Sequence, residues 1–186
     1  MTGDLRTFVE GMLFVIAALL PIVNPFGGAP VFLAMTADCT AALRATLAQK
    51  IAVNAFILLL ASLFVGTYVL EFFGLSVPIV QVAGGIVVCV NAWELLRAES
   101  AAPVVPASAP AAAEIATRAF YPLTLPLTVG PGTISVAITI GAHHPQSVRS
   151  LVVHGAADVI GASLIAGTVF VCYRYADRML RVLGDT

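Results

Sequence analysis

The stretch Leu20-Pro21-Ile22-Val23-Asn24-Pro25-Phe26-Gly27-Gly28-Ala29-Pro30 places three prolines and two glycines within eleven residues. An interior proline removes a backbone donor and crowds the carbonyl four residues back, and glycine adds backbone freedom. One regular helix is not expected to run through this segment. Yet the surrounding run from Gly11 to Ala37 holds no Asp, Glu, Lys or Arg, which reads as membrane-embedded. Broken backbone at membrane depth is tolerated only where protein buries it or a wet cavity receives it. The segment therefore points to a binding site rather than a plain anchor.

A second stretch has the same character. Tyr121-Pro122-Leu123-Thr124-Leu125-Pro126-Leu127-Thr128-Val129-Gly130-Pro131-Gly132 lies in the uncharged run from Ala119 to Val148. Pro21, Pro25 and Pro30 recur as Pro122, Pro126 and Pro131, each 101 residues later, in a chain with 11 prolines. Gly/Pro-interrupted segments at corresponding places in two halves mark transporter sites built from internal repeats. The competing reading is a pair of proline-kinked helices that hold no ligand.

Composition agrees with a membrane protein: 60% hydrophobic and 10% charged residues, with a mean hydropathy of +1.00. Soluble domains carry about 25% charged residues. A formal net charge of -1 and the lack of a basic cluster exclude a nucleic-acid footprint. Cys39, Cys89 and Cys172 lack metal-ligand spacing; Cys89 and Cys172, in apolar runs, read as buried hydrophobes. Asp4, Arg6 and Glu10 precede the first apolar run, and the broken motif stands where a cleavage site would be, so this run reads as a retained span.

Five spans follow in order: roughly 8–36 around the first break, 51–70, 79–96, 119–142 around the second break, and 151–173. Residues 38–50 read as a polar connection. Gly84-Gly85 permits close helix approach, and Trp93 suits an interfacial belt. The fold class is an all-α polytopic membrane bundle. Residues 1–97 form a first three-span repeat, 98–117 an Ala/Pro-rich linker without assigned function, and 118–186 a second repeat lacking its third span. Seven basic residues flank one set of span ends and only Arg6 and Arg149 the other, which places the N-terminus outside. Three spans separate the breaks, so the repeats are inverted. A shift of 101 residues carries the second span onto the fifth and carries the third past residue 186, so a sixth span is expected beyond the sequence.

Asn24-Pro25-Phe26-Gly27-Gly28 with Ala29-Pro30-Val31-Phe32-Leu33 resembles the MarC family of integral membrane proteins, and Gln81-Val82-Ala83-Gly84-Gly85, Pro122-Leu-Thr-Leu-Pro126 and Gly130-Pro131-Gly132 agree. The resemblance spans essentially the whole chain. It implies a six-span inner-membrane protein with inverted repeats, and a transporter of small neutral amino acids such as glycine and alanine. It also fits family members of unknown, stress-related role.

The chemistry expected at the breaks suits a zwitterion. Helix N-termini offer N–H groups to a carboxylate, and helix C-termini offer carbonyls to an ammonium. Gly27, Gly28, Gly130 and Gly132 leave backbone open to close approach, and Pro25 and Pro126 set the two breaks. Asn24, Thr124 and Thr128 bond either ligand or carbonyls freed by the prolines. Asp158 is the one acid well inside a span, with His154 one turn before it, and the pair is a candidate proton- or cation-coupling site. The alternative is a hydrated or paired Asp158 near the outer end.

No catalytic triad, phosphate loop or metal motif is present in the sequence, so no enzyme, cofactor or metal site is expected. His143-His144 lacks the spacing of a helix-borne metal site. The partners expected are the lipid bilayer and a small neutral amino acid, with a homo-oligomer left open. A non-transporting scaffold and a channel are the competing functions.

Overall fold

A computed structural model describes residues 2–97, 115, 117–144 and 147–184. Among these, all secondary structure is helical: α1 (Thr2–Val23), α2 (Pro25–Met35), α3 (Ala41–Phe64), α4 (Gly66–Phe72), α5 (Val77–Arg97), α6 (Ala119–Thr128), α7 (Pro131–Ala142), α8 (Val148–Arg174) and α9 (Ala176–Gly184). The expected linker lies outside the described residues, apart from Ile115 and Thr117.

Among the described residues, three helical stretches are long and apolar enough to cross a membrane: Asp4–Met35, Ala41–Phe64 and Val148–Arg174, of 32, 24 and 27 residues. Two bent pairs bring the total to as many as five, α4 with α5 at 107° and α6 with α7 at 69°. Val53, Ile57, Ile86, Val152 and Leu164 are exposed apolar side chains on these helices, an outer surface that a bilayer solvates.

Local sequence explains the starts. Thr40 and Ser147 each accept a bond from the backbone N–H three residues on, at 3.3 Å, and so cap α3 and α8. The Thr40 cap starts α3 at Ala41, so Arg44 and Lys50 ride on a helix instead of the polar connection expected at 38–50. The span expected at 51–70 is likewise divided, because α3 stops after Phe64 and the chain restarts as α4.

The two halves share a burial pattern. The buried residues of α3 are Leu47, Ala48, Ile51, Ala52, Ala55, Leu59, Ser62 and Leu63. Each has a buried counterpart 110 residues later on α8: Ala157, Asp158, Gly161, Ala162, Ile165, Val169, Cys172 and Tyr173. The one-residue break before α4 likewise recurs before α9. The 101-residue register of the prolines is not the register of the helices. Pro25 opens α2, but Pro126 lies inside α6 and Pro131 opens α7. Helix packing, not proline spacing, sets which positions correspond.

Close contacts hold the bundle. Helix α8 packs along both α1 and α3, and α7 lies against α3 and α5. A Cβ at Gly161 would stand 2.9 Å from Val15 Cγ1, and one at Gly84 would stand 2.6 Å from Ser135 Cβ. Gln81 donates to Thr139 at 3.0 Å, and Ser135 donates to the Val80 carbonyl at 2.9 Å. Such small-residue contacts and interhelical bonds drive association in lipid, where apolar burial alone does not.

Between the end of α2 and the start of α3, two ion pairs join the halves. Arg118 reaches Asp38 at 2.8 and 2.9 Å and also donates to the Met35 carbonyl. Arg44 grips both oxygens of Asp177 at 2.8 Å. Hydrogen bonds from the Arg118 guanidinium hold the Asp38 carboxyl below its ordinary value. A carboxyl with a depressed folded value stabilises the protein above its unfolded range, and the contribution fades as pH falls through the folded value. The stability difference between wild type and Arg118→Gln is therefore expected to shrink between neutral pH and about pH 3. Chemical unfolding in detergent, followed by circular dichroism across that range, tests it. A pH-independent difference would assign the effect to the Met35 bond.

Candidate functional site

The first break is one residue wide. Asn24 sits in the left-handed region at φ 42, ψ 60, a conformation that asparagine tolerates better than most side chains. Its N–H still reaches the Leu20 carbonyl at 2.9 Å, and Gly28 N–H reaches the Asn24 carbonyl at 2.9 Å. The Asn24 side chain accepts from Gly27 N–H at 3.1 Å. Asn24 is thus the N-cap of α2. The N–H groups of Gly27 and Gly28 are occupied, so this helix start is less open to a carboxylate than the sequence implies. Asn24 and Gly27 are exposed, while Pro25 and Gly28 are buried.

The second break is wider. Tyr121 and Leu125 have non-helical backbone angles inside α6, and Gly130 leads extended into α7 without a side-chain cap. Buried threonines take over the backbone bonding that the prolines disturb. Thr124 donates to the Ala119 carbonyl and Thr128 to the Leu123 carbonyl, each at 2.7 Å. Asn54 of α3 lies 3.4 Å from the Thr124 hydroxyl. Gly132 is buried, Gly130 half-buried and Pro126 exposed.

Tyr173 of α8 joins the two breaks. Its ring is buried and stacks on Phe32, with centroids 4.7 Å apart and planes at 10°. Its hydroxyl lies 3.0 Å from Thr128 Oγ1, and a Cβ at Gly28 would stand 2.6 Å from that oxygen. Gly28 and Thr128, one from each half, therefore both lie against one tyrosine hydroxyl. Sequence reasoning missed Tyr173, because an aromatic near the end of an apolar span reads as an interfacial anchor.

Asp158 lies elsewhere. It precedes Tyr173 by fifteen residues on α8, about 22 Å along the axis. It lines a cavity of about 320 Å³ with Thr7, Glu10, Gly11, Phe14, Val15, Ile140, His143, His144 and His154. The Asp158 side chain is 3% exposed, and it is paired in the sense of the alternative reading. The imidazole against it is His144, with Nε2 2.9 Å from Oδ2. That approach is within ion-pair reach but off the line of a hydrogen bond, and Oδ2 accepts none. His154, the partner named from sequence, turns Nδ1 to the Ser150 carbonyl at 2.8 Å, and its ring centroid lies 5.9 Å from that of His144. Burial pushes the His144 imidazole below its ordinary value, and His154 acts in the same direction.

The profile of MarC family integral membrane proteins matches residues 9–186. The chain belongs to the MarC family. Among its relatives, the membrane protein YvbG of Bacillus subtilis is 31% identical over 174 residues, covering 92% of this chain and 80% of YvbG. A membrane protein of Archaeoglobus fulgidus is 25% identical over 97% of this chain and 83% of its own length. The inner membrane protein MarC of Salmonella typhimurium is 27% identical over 91% of this chain and 79% of its own. No solved structure gives a significant match. As a MarC-family protein, the chain is a multi-pass integral membrane protein.

Proposed function

We propose that this MarC-family protein transports small neutral amino acids of the glycine and alanine class by alternating access of its two halves. The observation that carries the reading is the meeting of two broken segments, one from each half, at the buried Gly28–Tyr173–Thr128 contact. A packed junction between inverted repeats is where rocking of one half against the other would expose a site first to one side and then to the other. The uncapped start of α7 is a helix end that a substrate carboxylate would take on reaching the junction, a station separate from the Asp158 cavity. The cavity at Asp158 lies toward the α7–α8 connection, and the Arg118–Asp38 and Arg44–Asp177 pairs cross between the halves near the ends of α2 and α8. In this reading the N-terminus faces outside the cell membrane, which in a bacterium is the inner membrane, and Asp158 with its histidines couples a proton to transport.

Uptake and counterflow of labelled glycine and alanine in proteoliposomes test the proposal. Saturable exchange is expected. Asn24→Gly keeps access to the left-handed backbone and removes the cap, and it should depress exchange more than membrane expression. Absence of flux from folded protein across a panel of small neutral amino acids would overturn the transport reading.

A further inference from the structure

The cavity at Asp158 is rich in acceptors. Glu10 and Asp158 both line it, with neither Lys nor Arg among the lining residues, but the exposed Glu10 carboxylate is paired with Arg6 at 2.7 Å, so Asp158 is the carboxylate the cavity offers. Asp158 is 2% exposed, and its Oδ2 accepts no hydrogen bond. Leaving such a buried acceptor unsatisfied is costly, so the site gains from any donor brought to it.

The histidines sharpen the chemistry. His154 Nδ1 is engaged by Ser150, 2.8 Å from its carbonyl and 3.3 Å from its hydroxyl, which holds the ring beside the cavity. His143 is fixed likewise, with Nδ1 2.7 Å from the Thr139 carbonyl. His144 approaches Asp158 within 2.9 Å, from the connection after α7, and does so without hydrogen-bond geometry. A metal ion is a poor fit, because no group of three His, Cys, Asp or Glu ligands assembles among the described residues. An ammonium group fits better: it is small, cationic and carries three donors for surrounding acceptors.

We propose that this cavity binds the ammonium group of a small primary amine on the Asp158 carboxylate, and that the amine displaces the tethered His144 imidazole. The proposal deepens the transport reading and rests on it only for identifying the amine as an amino acid. Protons and the ammonium then compete for one carboxylate, which gives exchange between them. The other titratable groups facing Asp158 are Glu10 from α1, His143 and His144 after α7, and His154 on its own helix. The Asp4–Arg149 pair lines an adjoining cavity that shares Thr7.

The test is binding of methylammonium, glycine and acetate to the purified full chain in nanodiscs by isothermal titration, beside uptake in proteoliposomes. Methylammonium and glycine should bind saturably and acetate should not. Methylammonium affinity should fall about tenfold or more in Asp158→Asn, and it should weaken as pH falls in the wild type. His144→Ala should tighten binding, which keeps the test decisive if Asp158→Asn fails to fold. Folded wild type that ignores methylammonium, or Asp158→Asn that binds it equally, overturns the proposal. Unchanged affinity in His144→Ala overturns the displacement of His144. Glycine uptake without methylammonium binding sinks the ammonium site and leaves transport standing; methylammonium binding without amino-acid uptake does the reverse.

Discussion

Replacing Tyr173 with alanine should be among the most damaging single substitutions in this protein. The ring is buried, stacks on Phe32 and carries its hydroxyl to Thr128. Truncation removes the stack, opens a void between α2, α6 and α8, and leaves the two broken segments without their bridge. Large aromatic-to-alanine changes in packed interiors cost about 3–5 kcal/mol. Tyr173→Phe separates packing from hydrogen bonding. Thr128 keeps its bond to the Leu123 carbonyl at 2.7 Å, so only the bond to the tyrosine is lost, at about 1 kcal/mol. Unfolding in detergent should therefore rank wild type above Phe and Phe well above Ala. Equal losses for both variants would mean that the hydroxyl, not the ring, holds the junction.

Gly141→Ala should also be strongly destabilising. A Cβ at Gly141 would overlap the Leu63 carbonyl oxygen, with the carbonyl carbon at 2.8 Å. The obstructing group is helix backbone and cannot rotate aside, so α7 and α3 must separate. Overpacking of this kind costs about 1–3 kcal/mol. Gly167→Ala is the matching control, since nothing lies within 4 Å of the added carbon. Inside helix α8 that change removes glycine's backbone entropy cost and should stabilise by as much as about 1 kcal/mol. Thermal unfolding of the pair should move in opposite directions. A Gly141→Ala protein as stable as wild type would show that the α3–α7 approach is looser than the structure has it.

Much of the architecture is legible along the chain. Uncharged runs mark the spans, because lipid admits few charged side chains, and clustered prolines mark the breaks, because they remove helix donors. Span ends follow less well where a helix breaks: the helices stop after Phe64 and again after Arg174 without a proline at either place. The two breaks also differ in a way their prolines conceal. At Asn24 one left-handed residue suffices, whereas Tyr121 and Leu125 both leave helical geometry. Asp158 stands out in sequence as an acid inside an apolar helix. His144 does not, since a histidine after a helix end carries no sign of the partner that the next helix brings to it.

Composition and spacing by themselves determined that this chain is a helical membrane protein with paired broken segments, and motif resemblance placed it in the MarC family. Those properties depend on local chemistry: side-chain transfer into lipid and the missing proline N–H. Tertiary structure alone decided that the α3 burial stripe recurs on α8 at 110 residues, that Tyr173 rather than a bare helix end meets Gly28 and Thr128, and that His144 reaches Asp158. These are contacts between residues far apart in the chain, fixed by which helix faces pack together, and no local pattern carries that information.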